Sequence, residues 1–256
     1  MKILLEISYR GTDFAGFQVQ SGARTVQGTL QDALEKLYGE RPPVKGCSRT
    51  DSGVHARQFF ATFDAESRVP CERLPFALNA LLPEDISAKS ARVVPESFHV
   101  RHDVSFKEYE YLILNETQRD PFFEGLAYRP KHPLDRTALS RAREAAAFIV
   151  GKQDFASFMS AGSNIVDTVR DVKSLEILED GGLLRVRISA DGFLYNMVRI
   201  ITGTLIDVAF GRIEAGRIPE IIAARNRGAA GFTAPAEGLY LRRVEFLPGT
   251  LVSDLA

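Results

Sequence analysis

Hydrophobic and polar positions alternate over residues 2–9. Ile3, Leu5, Ile7 and Tyr9 fall on one face and Leu4, Glu6 and Ser8 on the other, which is the period-2 pattern of a strand. The period changes over 25–38, where Val26, Leu30, Ala33, Leu34 and Leu37 recur at helical spacing. Thr25 suits the N-cap of that helix and Gly39 its C-terminal stop. Residues 57–64, RQFFATFD, read as a Phe-rich strand, 72–81 as a short helix and 86–94 as another strand.

The second half repeats this logic. Residues 106–115 alternate like a strand, and the Ala-rich stretch 135–150 predicts a helix with Asp135 as N-cap. Two strands, 170–179 and 183–190, flank the turn Asp180-Gly181-Gly182; in the second, Leu184, Val186 and Ile188 alternate with Arg185, Arg187 and Ser189. An apolar helix over 194–210, a shorter one over 217–226 and a strand over 239–246 complete the chain. One-sided alternation and antiparallel turns predict an α+β fold, with helices on one face of the sheet. The boundary between the halves is expected near 102–105.

Composition narrows the class. The chain has 256 residues, 45% hydrophobic and 25% charged, which is globular and excludes a disordered polymer. Thirty-two Lys and Arg against 33 Asp and Glu give a net charge of −1, excluding a bulk electrostatic nucleic-acid binder but not a local basic cleft. Two cysteines, Cys47 and Cys71, make no disulfide framework and suit a reducing compartment. No apolar run approaches a membrane span, and the opening MKILLEISYRG, broken at Glu6 and Arg10, does not read as a signal peptide. The expectation is a soluble, cytoplasmic protein with no membrane partner.

The chemistry concentrates in 46–57, GCSRTDSGVHAR, a loop between a helix and a strand. Asp-Ser-Gly is ordinary turn chemistry, and a purely structural turn is one reading. The other rests on charge: between 41 and 57 the basic residues Arg41, Lys45, Arg49 and Arg57 surround one acid, Asp51. A carboxylate in such a field stays ionised and positioned, as a nucleophile or base must be, and the same cations suit phosphates. A hydrolase built on Ser48, Asp51 and His55 lacks the G-x-S-x-G elbow. His99 and His102 lack the further ligands of a zinc site, and Cys47 and Cys71 read as small hydrophobes, so no metal is expected. Neither a P-loop nor G-x-G-x-x-G is present, so no nucleotide cofactor is expected.

Several separated motifs resemble the TruA family of tRNA pseudouridine synthases. They are SYRGTDFAGFQVQ (Ser8 to Gln20), TVQGTLQDAL (Thr25 to Leu34), SRTDSGVHA (Ser48 to Ala56), LNALLPEDI (Leu78 to Ile86) and FHVRHDVSFKEYEYLI (Phe98 to Ile113). GKQDFASF (Gly151 to Phe158), DGFLYNMVRIITGTL (Asp191 to Leu205) and GFTAPAEGLYL (Gly231 to Leu241) follow in order, so the resemblance covers almost the whole chain. It implies two ferredoxin-like (RRM-like) halves, 1–103 with the catalytic aspartate and 104–256 completing the cleft. They would form one extended, mostly antiparallel sheet with a central active-site cleft. It further implies a homodimer, no metal or organic cofactor, and isomerisation of uridine to pseudouridine at positions 38, 39 and 40 of the tRNA anticodon stem-loop.

Carried over residue by residue, Asp51 matches the catalytic aspartate, Tyr109 the tyrosine that stacks on the target base, and Arg199 the arginine that pairs with the aspartate. Arg49 matches the arginine before the aspartate in R-T-D. Ser48 stands where the family commonly has Gly, and a small loop adjustment is expected there. Arg199 also stands out on its own: it lies among Met197, Val198, Ile200 and Ile201, where an unpaired Arg is costly. Tyr111 falls on the same face as Tyr109 and is the aromatic expected in the core. Arg24, Arg57 and Arg101 are further candidate RNA contacts, with Lys45, Arg225, Arg227, Arg242 and Arg243. Between 185 and 243, nine Arg stand against five acids. The competing reading is a non-catalytic RRM-like RNA-binding module, but no RNP motif of the K/R-G-F/Y-G/A-F-V type is present.

Overall fold

The computed structural model describes residues 1–66, 69–162 and 165–251. In chain order the regular elements are β1 (Lys2–Tyr9), α1 (Val26–Tyr38), β2 (Lys45–Gly46), β3 (His55–Asp64), α2 (Leu74–Asn79), β4 (Ile86–Val93) and β5 (Val104–Leu114). They continue with α3 (Arg136–Ala147), β6 (Gly151–Asp154), β7 (Val169–Asp180), β8 (Leu183–Ala190), α4 (Met197–Ala209), α5 (Ile218–Ala223) and β9 (Leu239–Phe246). The fold is mixed α+β with mostly antiparallel pairing. Among the described residues no helix is long and apolar enough to cross a membrane.

The chain divides into two compact units, Met1–Ser105 with Tyr240–Ala256, and Phe106–Leu239. The expected second half ran from 104 to the C-terminus; the division instead falls two residues later, and the last strand returns to the first unit. The reason is backbone pairing: β9 lies parallel to β3, with His55 opposite Tyr240 and Ala56 opposite Leu241. A parallel partner distant in sequence leaves no local periodicity. Residues 252–256, part of the tail after Pro248, lie outside the described residues.

In the first unit β1 is central, antiparallel to β3 on one side and β4 on the other. Ile3, Ile7, Phe59, Phe63, Leu30 and Leu34 are fully or almost fully buried. That follows the alternation of β1 and the apolar stripe of α1. The caps of α1 are those its sequence predicts: Thr25 accepts a hydrogen bond from the Gly28 amide, and Gly39 closes the helix at φ 81°.

In the second unit β8 lies antiparallel to both β5 and β7, and β6 pairs with β7. The β7–β8 hairpin turns through Gly181 and Gly182, both at positive φ, as a two-residue loop of this twist requires. Asp135 caps α3 by accepting from the Ala138 amide at 2.7 Å. The apolar helix α4 begins at Met197 rather than at 194, because Asn196 sits in the left-handed region at φ 59°. The two-residue β2 and four-residue β6 escape sequence reading, since neither is long enough to display a period.

Candidate active site

The Asp51 loop is built by a second loop that encloses it. The segment after β1 runs alongside residues 50–55. The Phe17 amide donates to Thr50 O at 3.0 Å, the Gly53 amide to Phe14 O at 3.2 Å, and the Gly11 amide to His55 Nδ1 at 2.9 Å. The Tyr9 hydroxyl and Thr50 Oγ1 share a buried 2.7 Å hydrogen bond. Within the loop, the Val54 amide closes a turn onto Asp51 O at 3.2 Å. Asp51 itself is half-buried.

Two glycines allow this close approach. A Cβ on Gly11 would lie 2.0 Å from Val54 O, and one on Gly16 would lie 2.6 Å from Thr50 O. Gly16 is also at φ 91°, so it serves both conformation and clearance. Below the loop, Phe17 stacks on Phe59 at 4.5 Å. His55 is buried, stacks on Tyr240 at 4.5 Å, and accepts at Nδ1, so that nitrogen carries no proton. Anchoring of His55 in a backbone hydrogen bond and a ring stack gives it a scaffolding position. Among described non-glycine residues only Asn196 and Arg225 have positive φ. Ser48 therefore adopts ordinary backbone, and nothing there demands glycine.

The first unit also holds Arg24, Arg49, Arg57 and Arg101. Arg24 makes a two-pronged ion pair with Asp85, 2.6 and 2.8 Å, and lies over the Phe14 ring at 4.1 Å. Its pKa is raised, chiefly by the hydrogen bond to Asp85. Arg57 is exposed and lies 5.1 Å over Tyr240. Arg49 is exposed. Partial desolvation, and then the charge of Arg49, lower the Arg101 pKa. His99 Nδ1 accepts from the amides of Arg101 and His102, so His99 is a capping histidine. Desolvation, and then His102, Lys45 and Arg101, lower its pKa.

Tyr109 and Arg199 lie in the second unit. Tyr109 stands on β5 opposite Ile188 and is 7% exposed, with Phe193 meeting it edge-on at 5.0 Å. Tyr111, fully buried two residues on, is the core aromatic expected, and its hydroxyl donates to Pro235 O at 2.8 Å. Burial raises its pKa.

The segment Gly231–Gly238 ties β5 to α4. A Cβ on Gly238 would strike the Tyr111 ring, and one on Gly203 would lie 1.9 Å from Phe232 O. The Gly231 amide donates to Thr204 Oγ1 at 2.9 Å. At the N-terminal end of α4, Arg199 Nε donates to Ala234 O at 2.7 Å and Nη1 to Asn196 Oδ1 at 2.8 Å. The partner that an arginine in an apolar helix needs is thus met by two neutral oxygens. On the opposite face of β5, the buried Glu110 carboxylate accepts from Arg187 at 2.8 Å and Arg185 at 3.1 Å.

Sequence reasoning did not single out Tyr9, Thr50, Gly11, Gly16, Asn196 or the Ala234–Pro235 backbone. The one local signal for the glycines is their density in RGTDFAGF. Apart from Asn196, three residues before Arg199, the remaining contacts join positions far apart in the chain.

A family model described as tRNA pseudouridine synthase matches residues 7–103 and 145–247. The tRNA pseudouridine synthase A of Bacillus licheniformis is 46% identical over 246 residues, covering 95% of this chain and 98% of the relative. That of Bacillus pumilus is 45% identical with the same coverage. That of Bacillus subtilis is 43% identical over 248 residues, 96% of this chain and 99% of the relative. With the match running through both units, the chain belongs to the tRNA pseudouridine synthase family.

Proposed function

We infer that this chain is a tRNA pseudouridine synthase, an isomerase that converts uridine to pseudouridine in tRNA. The observation that carries this is similarity of about half the residues over nearly the full length of enzymes so named, 46% over 246 residues for one of them. The reaction breaks the bond from uracil N1 to ribose C1′, turns the base, and rejoins it through C5. The proton leaving C5 is balanced by one gained at N1, so nothing is consumed.

On this reading Asp51 is the catalytic aspartate, acting as nucleophile or as base. Its support is the hydrogen-bonded loop that holds it and the basic residues near it in the sequence. Arg199 is its ion-pair partner, and Tyr109 stacks on the flipped uracil. Extruding a base costs a few kcal/mol, and stacking recovers ~1–3 kcal/mol. Because Tyr109 is 7% exposed, base entry includes uncovering its ring. Arg49, Arg57, Arg101 and Arg24 are the proposed RNA contacts; Arg24 must exchange Asp85 for phosphate to serve. The targets proposed are positions 38, 39 and 40 of the anticodon stem-loop. The halves are proposed to be ferredoxin-like, the protein to act as a homodimer, and its location to be the cytoplasm.

The test maps the product. Unmodified tRNA transcripts are incubated with the protein, treated with a pseudouridine-specific carbodiimide, and read by reverse transcription. Stops at one or more of positions 38–40 are expected. Transcripts that bind yet show no stop would support the RNA-binding module instead. Sedimentation at micromolar concentration tests the dimer; a monomer there removes it.

A further inference from the structure

We propose that Asn196 is a positioning residue that aims the Arg199 guanidinium, with Ser160 holding Asn196 in turn. The inference rests on the reading of Arg199 as a catalytic-site group and extends it to residues with no assigned part in the reaction.

The geometry is specific. Asn196 is one of two described non-glycine residues in the left-handed region, at φ 59° and ψ 11°. It occupies the N-cap of α4, yet its side chain makes no capping hydrogen bond. The usual reward for Asn at a helix start is therefore forgone. The carboxamide instead points across the first turn, where Oδ1 accepts from Arg199 Nη1 at 2.8 Å. Nδ2 donates to Ser160 Oγ at 3.0 Å, which fixes which end of the amide faces the arginine. Ser160 is itself anchored, because its amide donates to Tyr195 O at 3.1 Å.

Arg199 is gripped on its other side as well. Nε donates to Ala234 O, and the Ala234 amide donates back to Arg199 O at 3.1 Å. A guanidinium has five N–H donors. Two are used, and Nη2 has no hydrogen-bond partner among the described residues. Three donors thus remain on one fixed fork, the arrangement that receives a carboxylate or phosphate oxygen pair. A left-handed asparagine that gives up its cap to hold such a fork stores conformational cost at a functional place.

Three variants separate positioning from folding. Asn196→Ala removes the amide and strains the backbone at positive φ. Asn196→Gly removes the amide but fits that backbone. Arg199→Lys tests the reading beneath the proposal. Thermal stability, tRNA dissociation constant and single-turnover rate are measured for each. Asn196→Gly is expected to keep stability near wild type and tRNA affinity within about two-fold. Its single-turnover rate is expected to fall about ten-fold or more, as misplacement of a catalytic group predicts. Asn196→Ala is expected to lose the same rate and to be less stable. A rate restored by Gly together with stability shows that Asn196 serves only the backbone, and overturns the proposal. Retained turnover in Arg199→Lys overturns the reading of Arg199 itself. Loss in Arg199→Lys with none in Asn196→Gly overturns the positioning role alone.

Discussion

Gly11→Ala puts one methyl group into the contact that holds the Asp51 loop. The added Cβ would start 2.0 Å from Val54 O, whereas ordinary contact begins at 3.4 Å, so relief requires a shift of about 1.4 Å. Little in the segment yields easily. The Gly11 amide is bound to buried His55, and the neighbouring Phe14 and Phe17 are bonded to residues 53 and 50. The displaced strand of backbone therefore includes the loop whose turn starts at Asp51. A misplacement of about 1 Å at a reacting group costs about 100-fold in rate, or ~2.7 kcal/mol of barrier. Overpacking of this kind also lowers stability by about 1–3 kcal/mol. The assay is single-turnover release of tritium from C5-labelled uridine in tRNA, at a temperature where both proteins are folded. Turnover within two-fold of wild type in a folded Gly11→Ala protein would refute the claim that this contact sets the aspartate.

Tyr9→Phe removes the buried hydroxyl bonded to Thr50 and leaves the Thr50 hydroxyl without that partner. A stability loss of about 1 kcal/mol in urea unfolding is expected, with a smaller rate effect than Gly11→Ala; the reverse ranking contradicts the order of restraints. Glu110→Ala strips the carboxylate from Arg185 and Arg187. Those arginines are 21% and 30% exposed, so the expected loss is about 2 kcal/mol, below the ~3–5 kcal/mol of a fully buried pair. A change under about 0.5 kcal/mol rules out a structural role for the triad. Asp154 has a lowered pKa, chiefly from the Thr168 hydrogen bond, then the Ala156 amide and Arg225. A lowered folded-state pKa stabilises above the unfolded carboxylate pKa, and that contribution is lost as pH falls through the folded value. Asp154→Asn is therefore expected to be less stable than wild type at pH 7, with the gap closing below about pH 4. A gap independent of pH shows that the charge is not what matters.

What was legible in the sequence was what is local. The alternation of β1, the capped α1 with Thr25 and Gly39, the Asp135 cap and the Gly181–Gly182 hairpin all arise from neighbours in the chain. The assignment of Tyr111 to the core, and the need of Arg199 for a partner inside an apolar helix, were likewise readable. What was not legible depends on distant partners or, at Asn196, on an unusual backbone conformation. Strand β9 reads as part of the second half, but it pairs with β3, His55 opposite Tyr240, far back in the chain. The oxygens that satisfy Arg199 come from Asn196, three residues before it, and Ala234, 35 residues on. The glycines at 11 and 16 read as turn punctuation; their purpose is clearance against residues 50–54, which only the packed loops reveal.

The most direct measurement compares wild type with Asp51→Asn for tritium release from C5-labelled uridine in tRNA, with binding followed in parallel. The substitution keeps the shape of the side chain and removes its charge, so the loop restraints stay in place. Release by the wild type, none above background from Asp51→Asn, and equal tRNA affinity are the predicted results. Release by Asp51→Asn at a rate near wild type would contradict the assignment of the chemistry to this carboxylate.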